Sequence, residues 1–333
     1  MKEEILYKSA DEKYDITVIV PVFNTEEYLE ECINSLVHQT KKNIEILIID
    51  DGSTDHSLNI AKQIAETNNN ITLVTQSNSG VCAARSLGIR IAKGTYIGWL
   101  DSDDVLKEEA LEVIYTLMRE KNADYGYYNV QFFPKAVPNK KPWFKKYDGV
   151  RDWNFIERNS QCTNTLTKKE LLIKLDLPRL FLELNEYAWI SVLLFAERIV
   201  YTEQKYYMYR VGHDSASGGT YKGKIPKFLN AAIISKKLDS IIIGTRYQEV
   251  LKDYFDYRYI YTLFMLMIVA SVNRDKDVYG FSRKELNEVN YKKNNLVKLI
   301  LDNNHGKLKS FVLRNVLPKS YYVSVFITNV VVK

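Results

Sequence analysis

The chain has 333 residues and a mass of 38.8 kDa, enough for roughly two units of about 150 residues or one large domain with an appended lobe. Charged residues make up 26% and hydrophobic residues 46%, which excludes a disordered chain, a collagen-like chain and a coiled rod. Lys and Arg number 46 against 41 Asp and Glu, a formal +5 with much of the surplus after residue 130; this permits an anionic partner or membrane surface without requiring one and makes no case for nucleic acid.

The first fifteen residues, MKEEILYKSADEKYD, carry acids and no apolar core, unlike a secretory signal, so a cytoplasmic placement is expected. Ile16 to Val20 (ITVIV) is an apolar β-branched run closed by Pro21, the pattern of a strand buried in a parallel sheet. Asn24, with Glu27 three positions on, is placed to cap a helix whose apolar face is Tyr28, Leu29, Cys32, Ile33, Leu36 and Val37. Ile44 to Ile49 is the next strand and runs into Asp50, Asp51, Gly52, Ser53, Thr54 and Asp55, with Asp55 starting the following helix. Ile71 to Val74, a turn at Asn78 to Gly80, a helix to Ile91 stopped by Gly94, and the strand Tyr96 to Leu100 complete an alternating pattern. Four strand and helix units in about 100 residues predict an open α/β sheet with right-handed crossovers. Ligands of such sheets bind beyond the carboxyl ends of the strands, where both acidic clusters fall.

A helix is expected over 106–121 and a strand over Tyr125 to Phe133, followed by a loop or flap with Pro134, Pro138, Pro142 and several lysines up to Lys146. Glu186 to Ala196 reads as helix and Tyr206 to Arg210 as strand; from Lys227 onward helices dominate. Tyr259 to Val272 is apolar for 14 residues, short of the ~20 needed to span a bilayer, and fits a buried core helix, with a membrane or partner contact as the alternative. The stretch Tyr321 to Val332 is apolar and also too short. Cys32, Cys82 and Cys162 lie 50 and 80 residues apart, so neither a zinc knuckle nor a disulfide framework can be written and a reducing compartment is expected.

Chemistry concentrates in the acidic clusters. Asp101 and Asp103 flank Ser102 directly after a strand, and two carboxylates on a rigid strand end make a hard oxygen site suited to Mg2+ or Mn2+ bridging phosphate oxygens. The competing reading is that this DSDD stretch only caps the next helix. Asp50 and Asp51 at a second strand end favour a nucleotide and metal site. A nicotinamide dehydrogenase would need a GxGxxG turn after the first strand, where this chain has PVFNTEE.

The stretches VIVPVFNTEEYLEECINSLVHQT, ILIIDDGSTD, NSGVCAARSLGIRIAKGTYIGWLDSDD and IVYTEQKYYMYR resemble a family 2 glycosyltransferase of the GT-A fold, of the kind that builds bacterial capsule and cell-surface polysaccharide. The resemblance covers about residues 15 to 120 and, less completely, 160 to 215. It implies a GT-A α/β fold with a mostly parallel central sheet and a helical C-terminal extension. It also implies three parts: 1–120 for the nucleotide-sugar, 121–220 for the acceptor and a lid loop, and 221–333 as the extension. By the same resemblance Pro21, Val22 and Phe23 line the base and Asp51 reads the uracil edge of a UDP-sugar. Asp101 and Ser102 lie near the ribose and metal shell, Asp103 is the direct ligand of Mn2+ or Mg2+, and Arg85 approaches phosphate, with a ligand-free helix-surface arginine as the alternative. His213 sits in the loop expected to close over the diphosphate and to complete the metal shell.

The implied reaction is inverting transfer of a hexose or N-acetylhexosamine to a glycan or lipid-linked acceptor. It needs a carboxylate to take the acceptor hydroxyl proton. The family's acidic pair falls on Leu184 and Asn185, and an asparagine cannot serve; Glu186 is the favoured replacement and Glu183 the second. Partners implied are the inner-membrane surface and other polysaccharide-assembly enzymes. The rivals are a weakly catalytic UDP-sugar-binding or assembly subunit and a metal-dependent nucleotidyltransferase or phosphatase.

Overall fold

The computed structural model describes residues 3–10, 13–134, 146–151, 153–159, 161–212, 224–289 and 318. The expected flap over 135–145, His213 and the apolar stretch 321–332 lie outside the described residues. The chain divides into two compact units, 1–213 and 214–333.

In the first unit the described strands are β1 (Glu3–Tyr7), β2 (Tyr14–Val22), β3 (Ile44–Asp50), β4 (Ile71–Gln76), β5 (Gly94–Trp99), β6 (Val105–Leu106), β7 (Tyr125–Phe133), β8 (Thr165–Lys168) and β9 (Ile199–Arg210). The helices are α1 (Leu29–Val37), α2 (Ser57–Thr67), α3 (Val81–Ile91), α4 (Ala110–Glu120), α5 (Trp153–Asn159), α6 (Lys169–Lys174), α7 (Leu177–Leu184) and α8 (Trp189–Phe195). One sheet runs in the order β1-β4-β3-β2-β5-β8-β7-β9-β6. Strands β4, β3, β2 and β5 are mutually parallel, as the alternation of strand and helix predicts. The expectation of a mostly parallel sheet is nevertheless corrected. β7 and β9 are the other parallel pair, while β1 with β4, β5 with β8, β7 with β8 and β6 with β9 are antiparallel, so the sheet is mixed. The physical reason is that the regular βαβ crossovers, which enforce parallel pairing, stop at β5; the four-residue β8 then enters between β5 and β7 in the opposite direction.

Every residue of β3 is buried, because helices cover both faces of the parallel part, and this is why its sequence is a continuous apolar run. Leu29, Cys32, Ile33 and Leu36 are the buried stripe of α1. The helix begins at Leu29, not at a cap on Asn24. Asn24 instead takes a left-handed conformation (φ 51°), and its Oδ1 accepts the N–H of Thr54 at 2.8 Å and of Asp55 at 3.4 Å. The next helix starts at Ser57 with His56 in the cap position, one residue after the expected Asp55, whose Oδ1 accepts the N–H of Ser57 at 2.9 Å. Gly94 does not stop α3, which ends at Ile91; it opens β5 where a Cβ would stand 2.2 Å from Thr17 N. Only glycine allows β5 to approach β2 that closely. The helix expected over 106–121 is shorter because Val105 and Leu106 pair with β9. The helix expected over 186–196 is a 3₁₀ turn, Asn185–Ala188, followed by α8.

The second unit contains α9 (Ile225–Lys237), α10 (Asp239–Ile242), α11 (Gln248–Val272) and α12 (Lys276–Glu288). Its core is the buried face of α11, including Leu251, Phe255, Leu263, Phe264 and Met267. Asp275 caps α12, accepting from Asp277 N at 3.1 Å and Val278 N at 3.0 Å. The apolar helix is longer than its 14-residue sequence pattern. Over Leu251–Val272 it is long and apolar enough to cross a membrane, but 72% of that span is buried inside the protein, as in a core helix.

Candidate active site

Strand β2 separates the two acidic strand ends, so the carboxyl ends of β3 and β5 lie about two interstrand spacings, or roughly 10 Å, apart. Pro21 and Val22 are buried at the end of β2, and Phe23 beyond them is 46% exposed, presenting an aromatic face at the mouth of the crevice.

At the β3 end, Asp51 is buried and its carboxylate organises the loop after β4. Oδ1 accepts from Gln76 Nε2 at 2.7 Å and Ser79 N at 2.9 Å, and Oδ2 from Gly80 N at 2.7 Å. A carboxylate has about four acceptor positions, so this arrangement leaves room for a further donor such as a base N–H. Gly52 (φ +74°) makes the turn possible, since a Cβ there would lie 2.8 Å from Asn78 N. Asp50 is buried beside it, accepting from Thr75 Oγ1 at 2.9 Å and Ser53 N at 3.3 Å.

At the β5 end, Asp101 to Asp104 form a turn closed by Asp104 N donating to Asp101 O at 3.0 Å. Asp101 and Asp103 are half-buried, whereas Ser102 and Asp104 are buried. Arg85, on α3, is itself buried and its Nη2 donates to Asp101 Oδ1 at 2.9 Å, which overturns the reading of a helix-surface arginine. Ser102 Oγ accepts from Thr25 Oγ1 at 3.0 Å and ties the turn to the loop after β2. Both oxygens of Asp104 are engaged: Oδ2 by Tyr207 OH at 2.6 Å and Oδ1 by Arg210 N at 2.7 Å. Burial, together with the Asp101 and Asp103 charges, pushes the Asp104 carboxyl up to about 8 despite those two donors. Burial, and then the charges of Asp104 and Asp101, hold the Tyr207 hydroxyl well above its ordinary range.

Tyr207 and Arg210 contact the acidic turn of the candidate site, a placement that sequence reasoning missed, having put them only on a strand. The available signal was a run of aromatics ending in an arginine at the last position of β9. The Arg210 guanidinium lies over the rings of Tyr28 (4.8 Å) and Phe133 (4.4 Å), its Nε donates to Asp103 O at 2.7 Å, and its Nη2 pairs with Glu31.

Among the described residues no three His, Cys, Asp or Glu side chains converge as a ready-made metal cage. The donor set still fits a hard divalent cation that takes much of its coordination from phosphate and water. Asp101 and Asp103 are carboxylates on one turn with partial exposure, and the crowding that raises Asp104 is relieved by positive charge.

The segment expected to carry the base is anchored beneath this turn. Trp189, which opens α8, meets Trp99 edge-on at 5.6 Å and stacks on Phe181 of α7 at 6.4 Å, while Ser86 Oγ donates to Pro178 O at 2.8 Å. Ser86 thus fastens α3 to α7. Glu183 lies on the exposed side of α7, its carboxylate held by Arg179 Nη1 at 2.7 Å. Asn185 takes φ 52° at the junction to the 3₁₀ turn. Glu186 lies on that turn, and its side chain is outside the described part of the structure.

The sequence profile of Glycosyl transferase family 2 matches residues 17–175, a span that includes both acidic strand ends. The glycosyltransferase GlyG of Streptococcus pneumoniae is 31% identical over 266 residues, covering 72% of this chain and 87% of GlyG. GlyA of the same organism is 34% identical over 221 residues, which is 61% of this chain; the chain spans only 31% of GlyA's length. Among solved structures, Staphylococcus aureus TarS 1–349 in complex with UDP-GlcNAc superposes with a TM-score of 0.56 at 18% identity, over 82% of this chain and 92% of that one. The mixed sheet with its acidic strand ends is a GT-A-like α/β fold, and by profile and by its likeness to GlyG the chain belongs to glycosyl transferase family 2 and is a glycosyltransferase.

Proposed function

We propose that the enzyme transfers a hexose or N-acetylhexosamine from a UDP-sugar, with inversion, to a glycan or lipid-linked acceptor in surface polysaccharide synthesis. The observation that carries this reading is the pair of acidic strand ends about 10 Å apart across β2, a span that suits a nucleoside diphosphate laid from base to phosphates. Asp51 would take the uracil N3–H, with Pro21, Val22 and Phe23 along the base. TarS, which shares the fold, holds UDP-GlcNAc, in keeping with a uridine donor. Asp101 and Asp103 would hold Mn2+ or Mg2+, whose chemistry is to neutralise the departing diphosphate. Arg85 keeps Asp101 in place, and Ser102 ties the turn to the loop after β2. His213 is assigned to the same diphosphate.

Glu186 is assigned as the general base that takes the acceptor hydroxyl proton as that oxygen attacks the anomeric carbon. Glu183 is the second candidate, but it would first have to leave Arg179. In this reading residues 1–120 serve the donor, 121–220 the acceptor and lid, and 221–333 the extension. A membrane-face location is supported by charge: residues 1–290 hold 38 Lys and Arg against 40 Asp and Glu, whereas 291–333 hold eight against one.

The test is release of nucleoside diphosphate from UDP-, GDP- and dTDP-sugars with and without Mn2+, for wild type, Asp103→Ala and Glu186→Gln. Metal-dependent release from a UDP-sugar, abolished by both substitutions, is expected. Release from a GDP-sugar alone would refute the uridine assignment, and turnover that survives Glu186→Gln would move the base elsewhere.

A further inference from the structure

One residue of β9 holds two successive residues of the acidic turn by different parts of its structure. The backbone N–H of Arg210 donates to Asp104 Oδ1 at 2.7 Å, and its side-chain Nε–H donates to the Asp103 carbonyl at 2.7 Å. The guanidinium is held by three further contacts: the Tyr28 ring at 4.8 Å, the Phe133 ring at 4.4 Å, and an ion pair with Glu31. The Arg210 side chain is 12% exposed while Glu31 is 59% exposed, so the arginine is a buried prop and the glutamate its outer brace. A planar, delocalised cation with a rigid fork suits this slot, and an ammonium on a flexible stem cannot both stack and place an N–H on the Asp103 carbonyl.

We propose that Arg210 is a positioning residue that sets the divalent-cation affinity of the donor site by fixing the Asp103 main chain, and hence the direction of its carboxylate, with Glu31, Tyr28 and Phe133 holding the guanidinium in register. The proposal rests on the reading of Asp103 as a cation ligand. Groups that orient a ligand without touching the metal commonly govern its affinity by 10- to 100-fold. The three supports come from α1's approach loop, α1 itself and the end of β7, so the position of Asp103 is tied to elements that also border the crevice.

The test is a calorimetric titration of UDP into the purified full chain at a series of fixed Mn2+ concentrations, with Arg210→Lys and Glu31→Gln beside wild type, and thermal unfolding of each. Arg210→Lys should keep a cooperative transition and bind UDP without metal within about twofold of wild type, since the Asp51 corner is untouched. The Mn2+ concentration for half-maximal enhancement of UDP binding should rise about 10-fold or more. Glu31→Gln, which removes only the outer brace, should shift it about threefold. A folded Arg210→Lys protein with the wild-type Mn2+ response overturns the proposal while leaving Asp103 as a ligand. A wild type whose UDP binding ignores Mn2+ overturns the ligand reading, and the proposal with it.

Discussion

At the end of β3 the Asp51 carboxylate accepts three hydrogen bonds, one from the side chain of Gln76 at the end of β4 and two from backbone N–H groups of the loop after it, and no acidic side chain other than Asp50 adjoins it in sequence. Across β2, at the end of β5, Asp101, Asp103 and Asp104 crowd one turn until Asp104 is pushed up to about 8. The same residue type at the same level of the sheet therefore does two kinds of work. The first corner is satisfied by its own chain and presents a rigid hydrogen-bonding edge; in the second, three carboxylates share one turn, and their mutual repulsion is met by the Arg85 guanidinium on Asp101 and by the raised proton affinity of Asp104.

Removing one acid from each corner tests that contrast. Asp103→Ala should lower donor turnover by roughly 10²–10³-fold, because stabilisation of the leaving diphosphate is lost, with no fall in Tm, since a mutually repelling charge has gone. Asp51→Ala should instead destabilise the protein by about 3 kcal/mol, leaving two backbone N–H groups and the Gln76 amide without their acceptor in a buried corner. Urea unfolding and donor turnover measured on both variants check the pair. Equal losses of stability would erase the distinction between the corners.

A smaller effect sharpens the account of the second corner. Tyr207→Phe removes the buried hydroxyl that donates to Asp104 at 2.6 Å and receives Asp101 N at 3.4 Å. The expected cost at pH 7 is about 1 kcal/mol, as for a hydrogen bond between neutral groups, because the Asp104 carboxyl is raised to about 8. Urea midpoints read it directly. A neutral substitution would mean that Arg210, Arg85 and Thr25 hold the turn without the Tyr207 hydroxyl.

The parallel strands were legible because burial on both faces forces unbroken apolar runs, as in ITVIV and IEILII. β1 was not: it is an edge strand with exposed Glu3, Glu4 and Ile5, and nothing local distinguishes EEILY from a tail. The antiparallel entry of β8 depends on pairing partners at residues 96–98 and 125–127, which no local pattern encodes. The same limit governs the site. The acidic strand ends announce themselves, whereas Tyr207 and Arg210 reach the Asp103–Asp104 stretch from more than 100 residues away. Asn24 was misread for the same reason: its sequence fits a local cap, yet the N–H groups it satisfies lie 30 and 31 residues on.

A carboxylate on the connection between α4 and β7 gives the counterpoint to the crowded turn. Asp124, just before β7, is pushed up by burial, but the N–H of Arg198, the Lys168 ammonium and the N–H of Glu197 outweigh that and hold its carboxyl below the usual range. The contacts are 3.1, 3.1 and 2.8 Å, and they fasten the start of β7 to the start of β9 and the end of β8. A depressed folded pKa means that the unfolded chain binds the proton more readily. The stabilisation is then fully present above the unfolded value near 4 and is lost as pH falls through the lower folded value. Asp124→Asn should cost about 1 kcal/mol at pH 7, since the site is partly solvated and the asparagine oxygen keeps part of the bonding. The gap between the two urea curves should close as pH is lowered below about 4. A gap that stays constant down to pH 3 would mean that Asp124 contributes shape and hydrogen bonding without its charge, and that the fastening of β7 to β9 owes nothing to electrostatics.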